Sequence, residues 1–442
     1  MRYKNKNIAV LGLGDSGEAA ALLLAEEGAV VTVLDSAPEE RLRLKVDLLR
    51  RRGIAVITGT EANRHHAHFD LAVLSPGIDP SAPLVQSFIS RRIEMIGELE
   101  MSYELCECPV IAITGTNGKT TTTELVARML NGCGVRTMAC GNIGPAFAAT
   151  VRHSAGLNVM TLEVSSFQLE RIRAFHPRVS VWLNFAPDHL DRYATVGEYR
   201  AAKLRIFENQ TAEDFAVVNF RDELPALKAR RITFSAYVKG AEFELESGVI
   251  LHRGAPVLKM EETKLRGLHN AENLMAALGA GLAQGLDFER MVPPLCSYAP
   301  LPHRCELVRS LDGVDYVNDS KATNLDALEK ALFSETRPVV LIAGGKDKGF
   351  EFESLAALVG QKARVAILIG QMAPRIEAVW RESVRCELAG SLAAAVERAR
   401  ANARPGDVVL FSPGTSSFDM FKNYGDRGNQ FRALVQNLSV QP

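Results

Sequence analysis

An apolar run, Val110-Ile-Ala-Ile113, breaks into Thr114-Gly-Thr-Asn-Gly-Lys119 and then into Thr120-Thr-Thr-Thr-Glu124. This order predicts a short strand, a Gly-rich turn and a helix opened by Lys119. Backbone N–H groups in such a turn, with the positive end of the helix dipole, form a concave anion site suited to a polyphosphate. Lys119 would reach the outer phosphates, and the hydroxyl of Thr120 or Thr121 would complete the shell of a Mg²⁺ ion. The strict phosphate-loop pattern asks for a glycine where Ile113 stands, so the match to that general motif is partial.

Other reactive residue types fall just after predicted strands. Glu163 follows the strand expected over 158–162, where a carboxylate could hold a Mg²⁺ that bridges phosphates. Ser165 and Gln168 fit a helix capping box. Asp188, His189 and Asp191 follow the strand expected over 179–183. Mg²⁺ prefers oxygen, so spacing alone leaves open whether His189 binds metal or braces its loop, and Asp188 and Asp191 read as supporting or capping residues. Lys203 sits on a helix opened by a second box, Thr195 to Glu198, and shares a face with Tyr199, Ile206 and Phe207. Burial there would favour the neutral, reactive amine; the alternative is a lysine that snorkels to water. Gly12-Leu-Gly-Asp-Ser-Gly17, with Asp35 closing the next strand, has the form of a dinucleotide turn. It raises a rival reading, a nicotinamide-dependent oxidoreductase, although no catalytic pair typical of hydride transfer accompanies it.

These residues need a frame to position them. Strands are expected at 8–11, 30–34, 54–57 and 71–74, with a helix over 18–27. Such strand–helix alternation argues for a parallel sheet with crossover helices. A second unit opens near Cys106, with strands at 110–113, 158–162, 179–183 and 215–218 and a helix over 271–284. Residues 292–302 hold four prolines in eleven positions and read as a linker. Beyond them, 339–342, 365–369 and 408–411 read as buried parallel strands, with a helical segment over 392–401.

At 442 residues, about three domains are expected. The 51 basic and 52 acidic side chains give a net charge of −1, which favours neither nucleic acid nor an anionic membrane as partner. No run reaches the ~18 apolar residues of a membrane span. The amino terminus mimics a signal peptide only until Asp15 and Glu18 interrupt it. Seven scattered cysteines suit reduced thiols, as in cytosol.

The loop Gly115-Thr-Asn-Gly-Lys-Thr120 resembles the ATP loop of the Mur ligases and of the related folylpolyglutamate synthetases. Resemblance continues, in that family's order, through Leu162-Glu-Val-Ser-Ser-Phe-Gln-Leu169, Asp188-His-Leu-Asp-Arg-Tyr193, Tyr199-Arg-Ala-Ala-Lys203, His269-Asn270, Pro302-His-Arg304, Asn318-Asp-Ser-Lys-Ala-Thr-Asn324 and Ser412-Pro-Gly414. It spans nearly the whole chain and is strongest to the D-glutamate-adding branch. It implies an α/β protein of three domains: a Rossmann-like domain (1–98) for a UDP-linked substrate, a central P-loop ATPase domain with a mostly parallel sheet (99–299), and a Rossmann-like domain (300–442) for an amino acid.

The implied activity is an ATP-dependent amide ligase that adds D-glutamate to UDP-N-acetylmuramoyl-L-alanine through an acyl phosphate, in peptidoglycan precursor synthesis. A folylpolyglutamate synthetase-like ligase is the alternative and would need a folate site. The resemblance also distributes roles. Asp15, Ser16, Asp35, Ser36, Ser75 and Gly77, with Asn142 and Ser165, would serve the UDP substrate; Asp15 must turn its carboxylate away from a diphosphate. Gly115, Thr116, Asn117, Gly118, Lys119, Thr120 and Thr121 would cradle ATP, helped by Asn270, Arg304 and, at the ribose, Asp319. Thr120, Glu163, His189 and a carbamylated Lys203 would hold Mg²⁺, and Lys321 would stand by the acyl phosphate. Thr323, Lys348, Ser417 and Tyr424 would take the amino acid, with Lys346 competing for the place of Lys348. The implied partners are small molecules only, met by a monomer in the cytoplasm.

Overall fold

The computed structural model describes residues 2–189, 192–299 and 302–439, which form three successive sheets, each flanked by helices. The expected Asp191, and Pro300 within the expected linker, lie outside the described residues. The first unit runs β1 (Asn7–Leu11), α1 (Asp15–Glu26), β2 (Val30–Asp35), α2 (Glu39–Arg51), β3 (Ala55–Thr58), α3 (Gly59–Asn63), β4 (Leu71–Leu74), α4 (Pro83–Ser90), β5 (Met95–Gly97) and α5 (Glu98–Tyr103). Its strand order is β3-β2-β1-β4-β5, all parallel. The order reverses between β1 and β4, so the Gly-rich turn after β1 meets the loop after β4 at a switch point, where open α/β sheets bind ligands. A Cβ on Gly17 would fall 1.8 Å from the Gly12 carbonyl oxygen, so this glycine is required by the turn itself.

The central unit runs β6 (Val110–Thr114), α6 (Lys119–Gly132), β7 (Thr137–Gly141), α7 (Phe147–Thr150), β8 (Val159–Glu163), α8 (Ser166–Leu169), β9 (Val179–Trp182), α9 (Val196–Leu204), β10 (Phe215–Asn219) and β11 (Arg230–Ser235). It continues through β12 (Phe243–Glu246), β13 (Val249–His252), β14 (Ala255–Lys259), α10 (Leu268–Ala283) and α11 (Phe288–Cys296). The sheet order is β14-β13-β12-β11-β10-β9-β6-β8-β7, parallel up to β12 and antiparallel across the last three strands. Those three strands, absent from the sequence reading, are joined by Ser247-Gly248 and Arg253-Gly254, with φ positive at all four residues. Paired left-handed residues match the twist of a two-residue hairpin.

The expected linker is in part a helix. α11 keeps Pro293 and Pro294 within it. Proline removes N–H donors, but here packing compensates: Met291 and Leu295 are buried, and Pro294 lies so close to Gly132 of α6 that a Cβ there would meet its Cγ at 2.5 Å. α10 also starts three residues earlier than expected, which brings Asn270 into its first turn.

The third unit runs β15 (Glu306–Leu311), β16 (Val314–Asn318), α12 (Leu325–Ser334), β17 (Val339–Ala343), α13 (Ala356–Lys362), β18 (Ala363–Leu368), α14 (Ala373–Trp380), β19 (Cys386–Leu388), α15 (Leu392–Asn402), β20 (Val408–Phe411) and α16 (Tyr424–Gln436). Its order is β15-β16-β20-β17-β18-β19, parallel except for the β15–β16 hairpin. The fold is therefore the three-part, mostly parallel α/β architecture expected. No helix among the described residues is long and apolar enough to cross a membrane.

α5 carries a strained polar group. Glu98 is buried; its Oε1 accepts from the Ala148 N–H at 2.6 Å and the Ser102 hydroxyl at 3.3 Å, while Oε2 has no partner. Burial pushes its carboxyl up to about 7 against those two hydrogen bonds. A carboxyl raised in the folded state adds stability that is complete below its unfolded pKa and is lost as pH rises through about 7. Glu98→Gln should therefore match the wild type near pH 4 and exceed it by about 2–3 kcal/mol at pH 8 in urea unfolding. A constant difference across that range would refute the assignment.

Candidate active site

β6 delivers the phosphate-type loop. Gly118 caps α6 with φ +83°, and a Cβ there would meet Asn273 Oδ1 at 2.4 Å. The loop is pinned from β9's side. Thr116 N–H donates to Asn184 O (3.0 Å), Asn117 N–H donates to Asn184 Oδ1 (2.9 Å), and the Thr116 hydroxyl donates to Ala186 O (3.0 Å). Asn184 was not singled out in the sequence, since nothing around it marks a loop brace. Lys119 folds back so that Nζ donates to the carbonyls of Gly115 (2.9 Å) and Thr116 (2.8 Å).

Lys203, buried on α9, donates to the same Gly115 oxygen at 2.8 Å and lies 4.8 Å from the Tyr199 ring centroid. Two lysine Nζ atoms thus share one carbonyl. Burial, then the charge of Lys119, holds Lys203 well below its ordinary value, against the pull of Asp188 and Glu163. Burial lowers Lys119 as well.

Glu163 ends β8. Its Oε1 accepts from Asn142 Nδ2 at 2.7 Å, and its buried Oε2 has no partner. An orphaned carboxylate oxygen beside a phosphate-type loop fits a divalent cation shared with phosphates. Among the described residues no group of three or more His, Cys, Asp or Glu could hold a metal ion unaided. Mg²⁺ usually keeps several waters and substrate phosphates in its shell and so takes few protein ligands.

His189 has φ +56°, and its ring packs 4.8 Å from Phe167 and 5.7 Å from Tyr199. Burial first, then Lys348, Lys119 and Lys203, lower its pKa despite Asp188, which favours the neutral imidazole. Ser165 makes the full capping box with Gln168, whereas Glu198 bonds Ala194 N–H instead of closing a box on Thr195.

The third unit forms the opposite wall. One cavity of about 320 Å³ is lined by Thr116, Asn117, Gly118, Lys119, Thr120 and Thr121, by Asn142, Glu163, Ser165, His189 and Lys203, and by Asn270, Arg304, Asp319, Lys321, Thr323 and Lys348. Its volume suits a small-molecule site. Burial raises Asp319 to about 7, against bonds from Ser412 Oγ (2.9 Å) and Cys305 N–H (3.2 Å). Lys321 stands 3.9 Å from the Tyr424 ring centroid and is lowered to about 8 by burial and by Arg304.

The seam between the two walls was not legible in the sequence. Buried Asp188 accepts from Lys348 Nζ (3.0 Å), Asn324 Nδ2 (3.0 Å) and its neighbour's N–H (His189, 2.8 Å). Asn117 also donates to Asp326 and, at 3.4 Å, to Asn324. Asn324 was visible only as part of a motif; its N-cap bond to Ala327 N–H orients it.

Other expected residues stand outside this cavity. Asp15 turns to Lys45 (2.5 Å) and is almost fully exposed, and Ser16 is next to it on α1. Asp35 accepts from the N–H groups of Leu13 (2.7 Å) and Ala37 (2.8 Å), and Ser36 donates to Asn63 (2.7 Å). Ser75 is buried beside the Gly-rich turn, with Gly77 exposed in the same loop. Arg192 joins this loop to the central unit: it donates to Pro76 O at 3.1 Å and stacks 4.1 Å over Phe167. Ser417 is buried, Tyr424 is partly exposed, and neither lines the cavity; Lys346 pairs with the backbone of Ser416.

Comparison with known proteins places this geometry. Family models match residues 6–97 (Mur ligase MurD-like, N-terminal domain), 113–281 (Mur ligase middle domain) and 303–414 (Mur ligase, glutamate ligase domain). The UDP-N-acetylmuramoylalanine--D-glutamate ligase of Geobacter metallireducens is 41% identical over 449 residues, covering 100% of this chain and 99% of its own. Among solved structures, the UDP-N-acetylmuramate-alanine ligase MurC of Thermotoga maritima superposes with TM-score 0.63 at 19% identity over 98% of this chain and 99% of its own. MurF ligase of Thermotoga maritima, in complex with ADP, superposes with TM-score 0.62 at 17% identity over 92% and 96%.

Removing Lys348 and Asn324 together would leave the Asp188 carboxylate buried with only one N–H donor. Such an uncompensated charge is strongly destabilising. The double variant Asn324→Ala/Lys348→Ala should therefore show a larger radius of gyration in solution scattering than the wild type. An unchanged radius would mean that the clasp does not hold the two walls together.

Proposed function

The chain belongs to the Mur ligase family, and we propose that it joins D-glutamate to UDP-N-acetylmuramoyl-L-alanine at the expense of ATP, in the synthesis of a peptidoglycan precursor. The observation that carries this reading is the convergence of Lys119 and Lys203 on the Gly115 carbonyl, beside the orphaned Glu163 oxygen. That cluster is complete only when a polyanion arrives. The D-glutamate branch is supported by the 41% identical relative, which spans the whole chain. Folate and nicotinamide readings of the first unit are set aside, because its Gly-rich turn falls within the MurD-like N-terminal match.

In this reading, residues 1–98 hold the UDP end of the substrate, 99–299 hold ATP and 300–442 hold the amino acid. We take the monomer as the working unit. We place it in the cytoplasm, where its seven free thiols would stay reduced. The γ-phosphoryl group of ATP passes to the alanyl carboxylate, giving an acyl phosphate. The amine of D-glutamate then attacks the acyl carbon, and the tetrahedral intermediate collapses with loss of phosphate. A carboxylate is a poor electrophile, whereas phosphate is a good leaving group, so two easier steps replace one hard condensation.

Positioning and charge neutralisation do most of this work. Lys119 swings from the loop carbonyls to the outer phosphates, and Lys321 and Arg304 approach from the opposite wall. Glu163, His189 and the Thr120 hydroxyl would hold Mg²⁺, which supplies Lewis-acid polarisation of the phosphates when bound. The depressed pKa of Lys203 provides the neutral amine that adds CO₂, releasing one proton and leaving a carbamate. That conversion turns the amine crowded against Lys119 into an anion able to join the metal shell.

Phosphate release should require ATP, Mg²⁺, UDP-N-acetylmuramoyl-L-alanine and D-glutamate together; equal rates with L-glutamate would exclude the branch. Lys119→Ala should lower kcat by about 10²–10³. Lys203→Ala should lose activity and regain part of it with added short carboxylates. A fully active Lys203→Ala enzyme would remove the carbamate.

A further inference from the structure

Arg427 has no exposed surface, yet its three side-chain hydrogen bonds all go to uncharged oxygens. Nε donates to the Ser320 hydroxyl (3.0 Å), Nη2 to Ser320 O (2.7 Å) and Nη1 to Thr415 O (3.2 Å). The acidic groups that act on it through space, Asp419 and Asp319, are engaged elsewhere. Asp419 accepts from Gln371 N–H (2.8 Å), and Asp319 accepts from Ser412 and Cys305. A buried guanidinium without a contacting carboxylate is costly, and bonds to carbonyls orient it without cancelling its charge.

Its position is specific. Arg427 lies in the first turn of α16, three residues after Tyr424. Its partners stand just past β16 (Ser320) and β20 (Thr415), and Gly345, past β17, lies so near that a Cβ would be 3.4 Å from Nη1. These are the carboxyl ends of three adjacent strands, the side of such a sheet where ligands bind. The same loops carry Lys321, Thr323, Lys348 and Ser417. The charge is thus fastened beneath the loops expected to hold the amino acid, with the positive end of α16 beside it.

We propose that Arg427 is a positioning residue that sets the preference for an amino acid with a second carboxylate, by ordering the loops at Ser320 and Thr415 and by placing beneath the crevice a positive charge that no carboxylate contacts. This inference rests on the ligase reading and deepens it. A neutral isostere of the same shape, D-glutamine, would gain the fit without the electrostatic attraction.

The full-length enzyme should be assayed for phosphate release with ATP, Mg²⁺ and UDP-N-acetylmuramoyl-L-alanine, using D-glutamate or D-glutamine. The ratio of kcat/KM for the two should fall by about tenfold or more in Arg427→Met. It should be largely retained in Arg427→Lys, which keeps the charge. The thermal transition should confirm that each variant folds. An equal loss for both amino acids in Arg427→Met would mark the residue as merely structural and overturn the proposal. If Arg427→Met does not fold, Arg427→Lys decides alone, since a lost ratio there would also overturn it. Wild-type enzyme that releases no phosphate with D-glutamate would instead sink the ligase reading itself.

Discussion

Like charges held together before any ligand arrives govern this molecule. Lys119 and Lys203 meet on one carbonyl oxygen, and Lys321, Lys348 and Arg304 face them across the cavity. Burial, then Lys119, lowers Lys203, and burial, then Arg304, Lys119 and Lys348, lowers Lys321. Glu163 and Asp188 offset part of that repulsion, but Glu163 leaves one oxygen unpaired. Such a cluster is unstable alone and stable around a polyphosphate, so the energy withheld in folding becomes available for binding and for charge developing during phosphoryl transfer.

The second constraint is the seam. Polar atoms from the central unit, Asn117 and Asp188, close onto Asn324, Asp326 and Lys348 of the third unit. These bonds pass between the phosphate loop and the loop predicted to meet the amino acid. A ligand on either side therefore alters groups that also hold the walls together, which links closure to occupancy. Arg192 plays a comparable part on the other side, reaching from the His189 segment to the Pro76 carbonyl of the first unit.

Much of this was legible in one dimension, because strand–turn–helix units advertise themselves locally. Lys119 opens α6 as its spacing predicts, Ser165 and Gln168 make their capping box, and the parallel strands fall where apolar runs place them. Three hairpins, turning at Ser247-Gly248, Arg253-Gly254 and Asp312-Gly313, carried a residue–glycine signal that the sequence reading did not use. The prolines of α11 misled for a physical reason: burial against α6 offsets the missing N–H donors, and burial is not a local property.

Residue types and their order along the chain determined the class of fold, the phosphate-type loop and the family. Those features depend on backbone geometry within a few residues, or on motifs repeated in order. Tertiary structure alone decided that Lys119 and Lys203 share an oxygen, that Glu163 keeps one oxygen free, that Asp35 is bound by the Leu13 N–H of the Gly-rich turn, and that Arg427 is buried without a contacting carboxylate. Each of these rests on atoms brought close from distant parts of the chain. Desolvation and Coulomb energy depend on separation in space, which position in the sequence does not encode.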